Sequence, residues 1–200
     1  MTFETKEALR ECIRADLYRY TGRTDRAALR RCRRASAGFR MTYYMRLCSY
    51  TRHRPLQKMI LFPIYKLRMR RAGEKVGAEM HEDMQIGKGL HIAHSGCIVL
   101  HRDAVLGENV SISHGVTVGQ TLKDGKAFVP VIGSNVYIAP GAKVIGGIRV
   151  GDNVAIGANA VVTRDVPSGA VVAGCPARVL SMDGAGDYVQ NPYSGGTERA

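Results

Sequence analysis

The stretch Ile132–Val162 reads IGSNVYIAPGAKVIGGIRVGDNVAIGANAVV and carries an aliphatic residue at every sixth position: Ile132, Ile138, Val144, Val150, Ile156 and Val162. Upstream the same beat recurs as Ile86, Ile92, Ile98 and as Leu106, Ile112, Val118. A small residue follows most of these, among them Gly87, Ala93, Gly107, Gly119, Gly133, Ala139, Gly151 and Gly157. Six is neither the helical period nor strand alternation, so the pattern is a repeat. Hexapeptide repeats build a parallel β-helix, in which each short strand turns a corner and stacks against the next coil. Such a scaffold is stiff and has no cleft of its own, which puts chemistry at its corners and protruding loops.

Two irregularities interrupt the beat. It lengthens by two residues between Ile98 and Leu106, and Val118 and Ile132 lie fourteen apart, which is two hexapeptides plus two. The segment Gln120–Val129 (QTLKDGKAFV) is polar and fits an exposed loop. After Val162, Asp165–Leu180 is expected to end the beat and cap the open end, and Asp183–Ala200, Gly-rich and polar, to form a mobile tail.

Before the repeats the sequence is helical. Leu9, Ile13, Leu17 and Tyr20 make one stripe in a helix over 1–21 that Gly22 stops. Thr24 or Asp25 caps a second, very basic helix to about Ala37, and a third runs from about Phe39 to Tyr50. Pro55 opens a fourth whose apolar residues Leu56, Met59, Ile60, Ile64 and Leu67 follow helical spacing, with a kink expected at Pro63. The division is residues 1–76, a basic helical region; 77–181, the β-helix; and 182–200, a flexible tail.

Charge follows that division. The chain of 200 residues carries a net charge of +12, but residues 1–76 hold 20 Lys/Arg against 6 Asp/Glu and the remainder 9 against 11. Five cysteines without C-x-x-C spacing argue against a disulfide framework or a structural zinc and for a reducing compartment. The charged N-terminus is no signal peptide, and the longest apolar run, Met59–Tyr65, is far shorter than the ~20 residues of a membrane span. The expectation is a cytoplasmic protein. Basic helices with aliphatic faces can still lie on an anionic membrane at its inner face, or pack on the β-helix with solvated arginines. No nucleic-acid-binding motif accompanies the charge.

Two histidines stand out. His94 and His114 each sit two places after a core aliphatic, and they are 20 residues apart, one coil of 18 plus the two-residue insertion. If the insertion bulges outward, they stack at one corner about 5 Å apart. A lone histidine is more often structural or solvated; two in register on a rigid corner point to a site. Imidazole is the side chain suited to accept a proton at neutral pH.

The stretches Gly77–His81 (GAEMH), Gly89–Gly96 (GLHIAHSG), Val110–Gly119 (VSISHGVTVG), Ile138–Gly146 (IAPGAKVIG), Ile156–Val162 (IGANAVV) and Val172–Leu180 (VAGCPARVL) resemble the serine acetyltransferase family of hexapeptide acyltransferases, and more closely its relatives in surface-polysaccharide clusters. The resemblance covers about half the chain. It implies a left-handed parallel β-helix, against the usual right-handed crossover. It also implies a homotrimer with active sites between subunits, acetyl-CoA as co-substrate and no metal. His94 falls on the family's catalytic base, Glu79 on a carboxylate, normally aspartate, that orients it, and His114 beside the acceptor. Gly119, Thr121, Gly141 and Ala158 match positions that line the acetyl-CoA groove, and Arg178 is placed to meet the CoA phosphates. Glycines at coil turns would be needed in any case.

The departures bear on the acceptor. Phe128 and Val129 stand where serine acetyltransferases carry an Arg-His pair, Ala93 replaces an aspartate before the catalytic histidine, and His101-Arg102 replaces a Gly-Glu pair. The first two changes remove charges associated with holding a serine zwitterion, so a sugar hydroxyl of a surface or capsular polysaccharide is the expected acceptor. O-acetylation of L-serine for cysteine synthesis is the alternative. A zinc hydratase on the same fold would need a His-x4-His pair, but Gly119 lies five after His114 and His91 only three before His94. A trimeric scaffold without turnover is a further alternative, in which His94→Ala would change nothing. Cys97 lies close to His94, yet no covalent acetyl-cysteine is expected.

Overall fold

The computed structural model describes residues 3–195. Four helices come first: α1 (Lys6–Thr21), α2 (Arg26–Ala35), α3 (Ala37–Thr51) and α4 (Pro55–Val76). Their ends follow capping chemistry. Thr5 accepts a hydrogen bond from Ala8 N, Asp25 from Ala27 N and Ala28 N, and Ser36 from Phe39 N, while Gly22 and Gly77 close α1 and α4 in the left-handed conformation. Pro63 sits within α4, which continues through it to Val76.

From Ala78 the chain winds into a three-sided parallel β-helix. One face stacks Ala78–Glu79, Ile98–Leu100, Thr117–Gly119, Lys143–Ile145 and Val161–Val162. The second stacks Gln85–Ile86, Val105–Leu106, Val131–Ile132 and Arg149–Val150, and the third His91–Ile92, Ser111–Ile112, Tyr137–Ile138, Ala155–Ile156 and Val171–Ala173. The beat residues sit in exact rows: Ile92, Ile112, Ile138, Ile156 and Val172 are successive partners down the third face. Each points inward and is buried, worth about 1.5–3 kcal/mol apiece. Each coil also satisfies the backbone of its neighbour, as Gly133 N donates to Val150 O at 2.8 Å and Gly151 N to Val166 O at 2.9 Å.

Register corrects several expectations. Leu100, not Ile98, pairs with Val118, so the two-residue insertion falls between Ile92 and Leu100, at the corner that bears His94. Ile98 is also buried, which is why the sequence pattern misled. Val118 and Ile132 are adjacent rungs of one coil, since their partners Val144 and Val150 are six apart. The intervening segment is therefore one excursion, not two hexapeptides, and it forms an antiparallel hairpin of Thr121–Lys123 with Lys126–Phe128. The beat also outlasts Val162: Val166 and Val172 are buried in a further coil, and Arg178–Ser181 then caps it by pairing antiparallel with Val171–Ala173.

The tail expected to be mobile from residue 182 is ordered as far as it is described; residues 196–200 lie outside the described residues. Its backbone finds partners on the β-helix corner, with Gly184 N donating to Gly169 O at 2.9 Å and Ala185 N to Asn153 O at 3.1 Å. Ala185 and Val189 are buried, Tyr188 stacks on Tyr137, and Asn109 bonds both backbone groups of Tyr193. Polar composition concealed backbone groups that extend the rungs of the helix.

The helices close the open first coil. Met41, Met45 and Cys48 of α3 and Met69, Ala72 and Val76 of α4 share one core with Met84 and Ile86. Consequently α4 buries a face the sequence reading did not choose. Leu56, Met59, Ile60, Ile64 and Leu67 face outward.

Candidate active site

An edge strand leaves a row of N–H and C=O groups unpaired. At the first coil these groups are taken up by buried side chains of the helices. Arg46 donates to Ile86 O and Gly87 O, both at 2.7 Å, and pairs with Asp16 at 3.0 Å, both side chains being 1% exposed. Asp16 Oδ1 accepts from Gly89 N at 2.8 Å and Leu90 N at 2.9 Å. A buried charge must be paired and hydrogen-bonded to be tolerated, and here the opposite ion and the coil edge supply such partners. Arg19 donates to Gly89 O at 3.1 Å, and also to Ser111 Oγ and Gln190 O. Burial pulls its pKa down to about 10, still a cation at neutral pH.

The strand His91–Ile92 carries the chain into the histidine corner, and Tyr20 takes the place of a missing neighbouring strand. Its hydroxyl accepts from Ile92 N at 2.8 Å and donates to Ile92 O at 3.3 Å. Gly38 of α3 lies close beside this contact: a Cβ there would meet Ile92 Cβ and Ile92 O at 3.0 Å and the Tyr20 hydroxyl at 3.2 Å. Two residues beyond this clamp, His94 projects into solvent, and one coil on His114 does the same. Their rings meet edge to face with centroids 5.9 Å apart, close to the expected coil spacing. Ile92 pairs with Ile112, and Gly115 N donates to Gly96 O as Gly141 N does to His114 O, so Gly96 is level with His114 and the two-residue bulge itself carries His94 beside it.

Cys97 then occupies the left-handed turn position, φ 49°, that Gly115, Gly141 and Asn159 hold in the following coils. Gly141 is fixed in kind, since its φ is 74° and a Cβ would lie 2.0 Å from Asn159 Oδ1. Gly141 N donates to His114 O at 2.9 Å, which ties the second histidine to the coil beyond.

Two functional neighbours escaped the sequence reading. His91 packs its ring 4.5 Å from that of Tyr20, and burial, with lesser contributions from Arg19 and His94, pushes its pKa down to about 4. It therefore stays neutral and adds no positive charge behind His94. Lys143 donates to Gly115 O, which sets a cation one residue from His114. Neither carries a sequence signal: His91 is three positions from His94, and Lys143 is one outward residue in a regular coil.

The remaining candidates divide between two corners. Below His114 the same column continues through Pro140, Ala158 and Gly174, so Ala158 lies in it and Gly141 beside it, and Arg178 lies at its far end opposite Ala173. These positions span about 15 Å at one strand spacing per coil. Gly119 and Thr121 lie instead at the next corner, where Gly119 O accepts from Gly146 N at 3.0 Å and Thr121 packs on Gly146 at the hairpin's base. A single chain does not bring the two groups together. Glu79 is exposed, beside Val99, and forms no hydrogen bond or ion pair with a described residue; the expected Glu79–His94 pair is not made. Its neighbours on the outward row of that face are Val99, Thr117 and Lys143, which leaves it aligned beside the corner rather than within it. Phe128 packs on Gly147 and, like Leu122, leaves much of its side chain exposed, so the hairpin offers apolar surface where a charged pair was absent. Among the described residues no three His, Cys, Asp or Glu side chains form a metal-binding group.

Comparison with known proteins agrees with this architecture. Residues 130–164 match the family described as bacterial transferase hexapeptide (six repeats). A serine acetyltransferase of Staphylococcus aureus (strain Mu50) is 45% identical over 108 residues, covering 54% of this chain and 51% of that protein. The chain thus spans about half the length of the curated relatives it matches. The crystal structure of Neisseria gonorrhoeae serine acetyltransferase is similar with a TM-score of 0.71 and 32% identity, over 89% of this chain and 68% of that one. That of the Brucella abortus (strain S19) serine acetyltransferase in complex with coenzyme A matches with a TM-score of 0.70 and 31% identity, over 88% and 69%. The nearer kinship expected with polysaccharide-cluster enzymes finds no support in these matches.

Proposed function

The chain belongs to the serine acetyltransferase family of hexapeptide-repeat transferases, and on that premise we propose that it transfers the acetyl group of acetyl-CoA to a hydroxyl, with L-serine as the acceptor. The observation that carries the reaction type is the His94–His114 pair, stacked and exposed on a rigid corner. His94 takes the proton of the acceptor hydroxyl as its oxygen attacks the thioester carbonyl. The tetrahedral intermediate collapses, the carbon–sulfur bond breaks, and the proton returns from His94 to the departing CoA thiolate. A positioned general base of this kind contributes about 10²–10⁴ in rate. His114 stands beside the acceptor, and His91 behind the base is neutral.

Glu79 is proposed as the orienting carboxylate in the assembled enzyme. Gly141, Ala158 and Arg178, descending one corner, are proposed to meet acetyl-CoA, and Gly119 and Thr121 at the other corner to complete the groove from a neighbouring copy in a homotrimer. The separation of these two groups within one chain supports that assembly. Free cysteines, three of them buried, support a reducing, cytoplasmic setting.

The names of the relatives favour serine. A sugar hydroxyl is the second reading, favoured by one observation: Phe128, Val129 and Ala93 offer no charge to a zwitterion. The test is release of CoA thiol with L-serine set against a panel of sugars and sugar nucleotides, with His94→Ala alongside. Turnover of L-serine that falls about 10²–10⁴-fold in His94→Ala is expected. His94-dependent turnover of a sugar without serine activity would transfer the assignment to the second reading, and turnover untouched by His94→Ala would remove the mechanism.

A further inference from the structure

A helix that is apolar on every side is normally buried. The N-terminal two-thirds of α4 is apolar on two opposite sides and buried on one. Phe62, Tyr65 and Met69 turn toward the core. Leu56, Met59, Ile60, Ile64 and Leu67 turn away, with 76%, 71%, 57%, 45% and 48% of their surfaces exposed. Single exposed aliphatics are ordinary; five at positions i, i+3, i+4, i+8 and i+11 form a continuous stripe about 16 Å long. That length is about half a bilayer's hydrocarbon core, and no described helix is long and apolar enough to cross one. A stripe of this kind suits a helix lying in an interface.

Its surroundings say which interface. From Arg26 to Gly73 the sequence contains twelve Arg, two Lys and no Asp or Glu. Arg26, Arg30, Arg31 and Arg34 of α2 are exposed and form no ion pair with a described residue. The charge of α2 and that of α4 meet on α3, where Arg33 and Arg68 both donate to the Tyr44 hydroxyl, at 3.2 Å and 3.3 Å. Lys58 and Arg71 add exposed cations on α4 itself. A second copy of this chain docked stripe to stripe would set one strongly basic surface against another. An anionic surface with an apolar interior meets both requirements together.

We propose that the outer stripe of α4 and the basic face of α2 form a peripheral docking surface for an anionic phospholipid bilayer. The aliphatic side chains enter the boundary between headgroups and acyl chains, and the arginines hold lipid phosphates. The contact is independent of which hydroxyl is acetylated, and vesicle partition measures it without turnover.

Full-length protein is sedimented with vesicles of phosphatidylcholine alone and of phosphatidylcholine mixed with phosphatidylglycerol. Binding is expected to the mixed vesicles only, and to weaken with salt. Leu56→Ser/Ile60→Ser/Leu67→Ser and, separately, Arg30→Glu/Arg31→Glu are each expected to lower partition by about tenfold or more. Both lesions are on exposed positions, and unchanged turnover of soluble substrate in both variants shows that they fold. Equal binding to the two vesicle types, no binding by the unaltered protein, or unchanged binding by the stripe variant would overturn the proposal. So would a lower oligomeric mass of the stripe variant by light scattering in a protein that ignores vesicles, which would make a second copy the occupant.

Discussion

The coils from Val131 onward and the first coil at Gln85–Ile92 share one backbone geometry but are held by different means. In the later coils each rung pairs with the next, and small aliphatics at every sixth position suffice. The first coil has a rung on one side only, and its other edge is met by Asp16, Arg19, Tyr20, Arg46 and Ser49, drawn from positions 33 to 74 residues away. The repeat is self-sufficient, whereas its start depends on a second structure. The histidine corner lies at that dependent end, so the helical segment supports the candidate site although it contributes no reacting group.

The comparison can be broken most decisively at Arg46. Arg46→Met leaves Asp16 buried without its counter-ion and strips the partners from Ile86 O and Gly87 O, a loss of about 3–5 kcal/mol. A fall in Tm of about 10 °C is expected by circular dichroism. Ile156→Val, deep in the regular coils, should cost about 1 kcal/mol. If the order of the two were reversed, the first coil would not be the dependent region.

Acid sharpens the same contrast. The pKa of His91 is about 4 in the folded chain against 6.5 for an unhindered imidazole. The unfolded chain binds the proton more readily, so folding stability falls as pH drops from about 6.5 toward 4, and is fully retained above 6.5. The loss from this one group approaches about 3 kcal/mol. Proton NMR should show the His91 ring neutral until about pH 4; titration near 6.5 would mean that the packing against Tyr20 is looser than described.

A smaller effect on stability than at Arg46 is expected at Tyr20. Tyr20→Phe keeps the ring against His91 and Phe39 but leaves Ile92 N–H and C=O without partners, at a cost of about 1–3 kcal/mol. Because the clamp sits two residues from His94, kcat should fall roughly tenfold with KM little changed, a small misplacement of a catalytic base being costly. Unaltered kcat in a destabilised variant would confine Tyr20 to a structural role.

Much of this was legible in the residues. A side chain two places after a beat residue must lie at a corner, and a separation of 20, one coil of 18 plus the two-residue insertion, puts His94 and His114 on the same one. The stop at Gly22 was readable from local chemistry, as was a cap at Thr24 or Asp25, of which Asp25 is the one formed. What misled was any choice between two apolar options. Ile98 and Leu100 both fit the inward row, and only pairing with Val118 selects Leu100. Both sides of α4 fit a core, and only the position of the first coil selects Phe62, Tyr65 and Met69.

The sequence by itself determined the β-helix, its core residues and the stacked histidines, since these depend on a short-range period that repeats along the chain. Only the tertiary structure decided which side of α4 is left bare, how Asp16, Arg46 and Tyr20 close the first coil, where the insertion bulges and that the C-terminal segment is strapped down. Those outcomes arise from contacts between residues far apart in sequence, where a lone backbone edge or a buried charge finds its partner in whichever element folds against it.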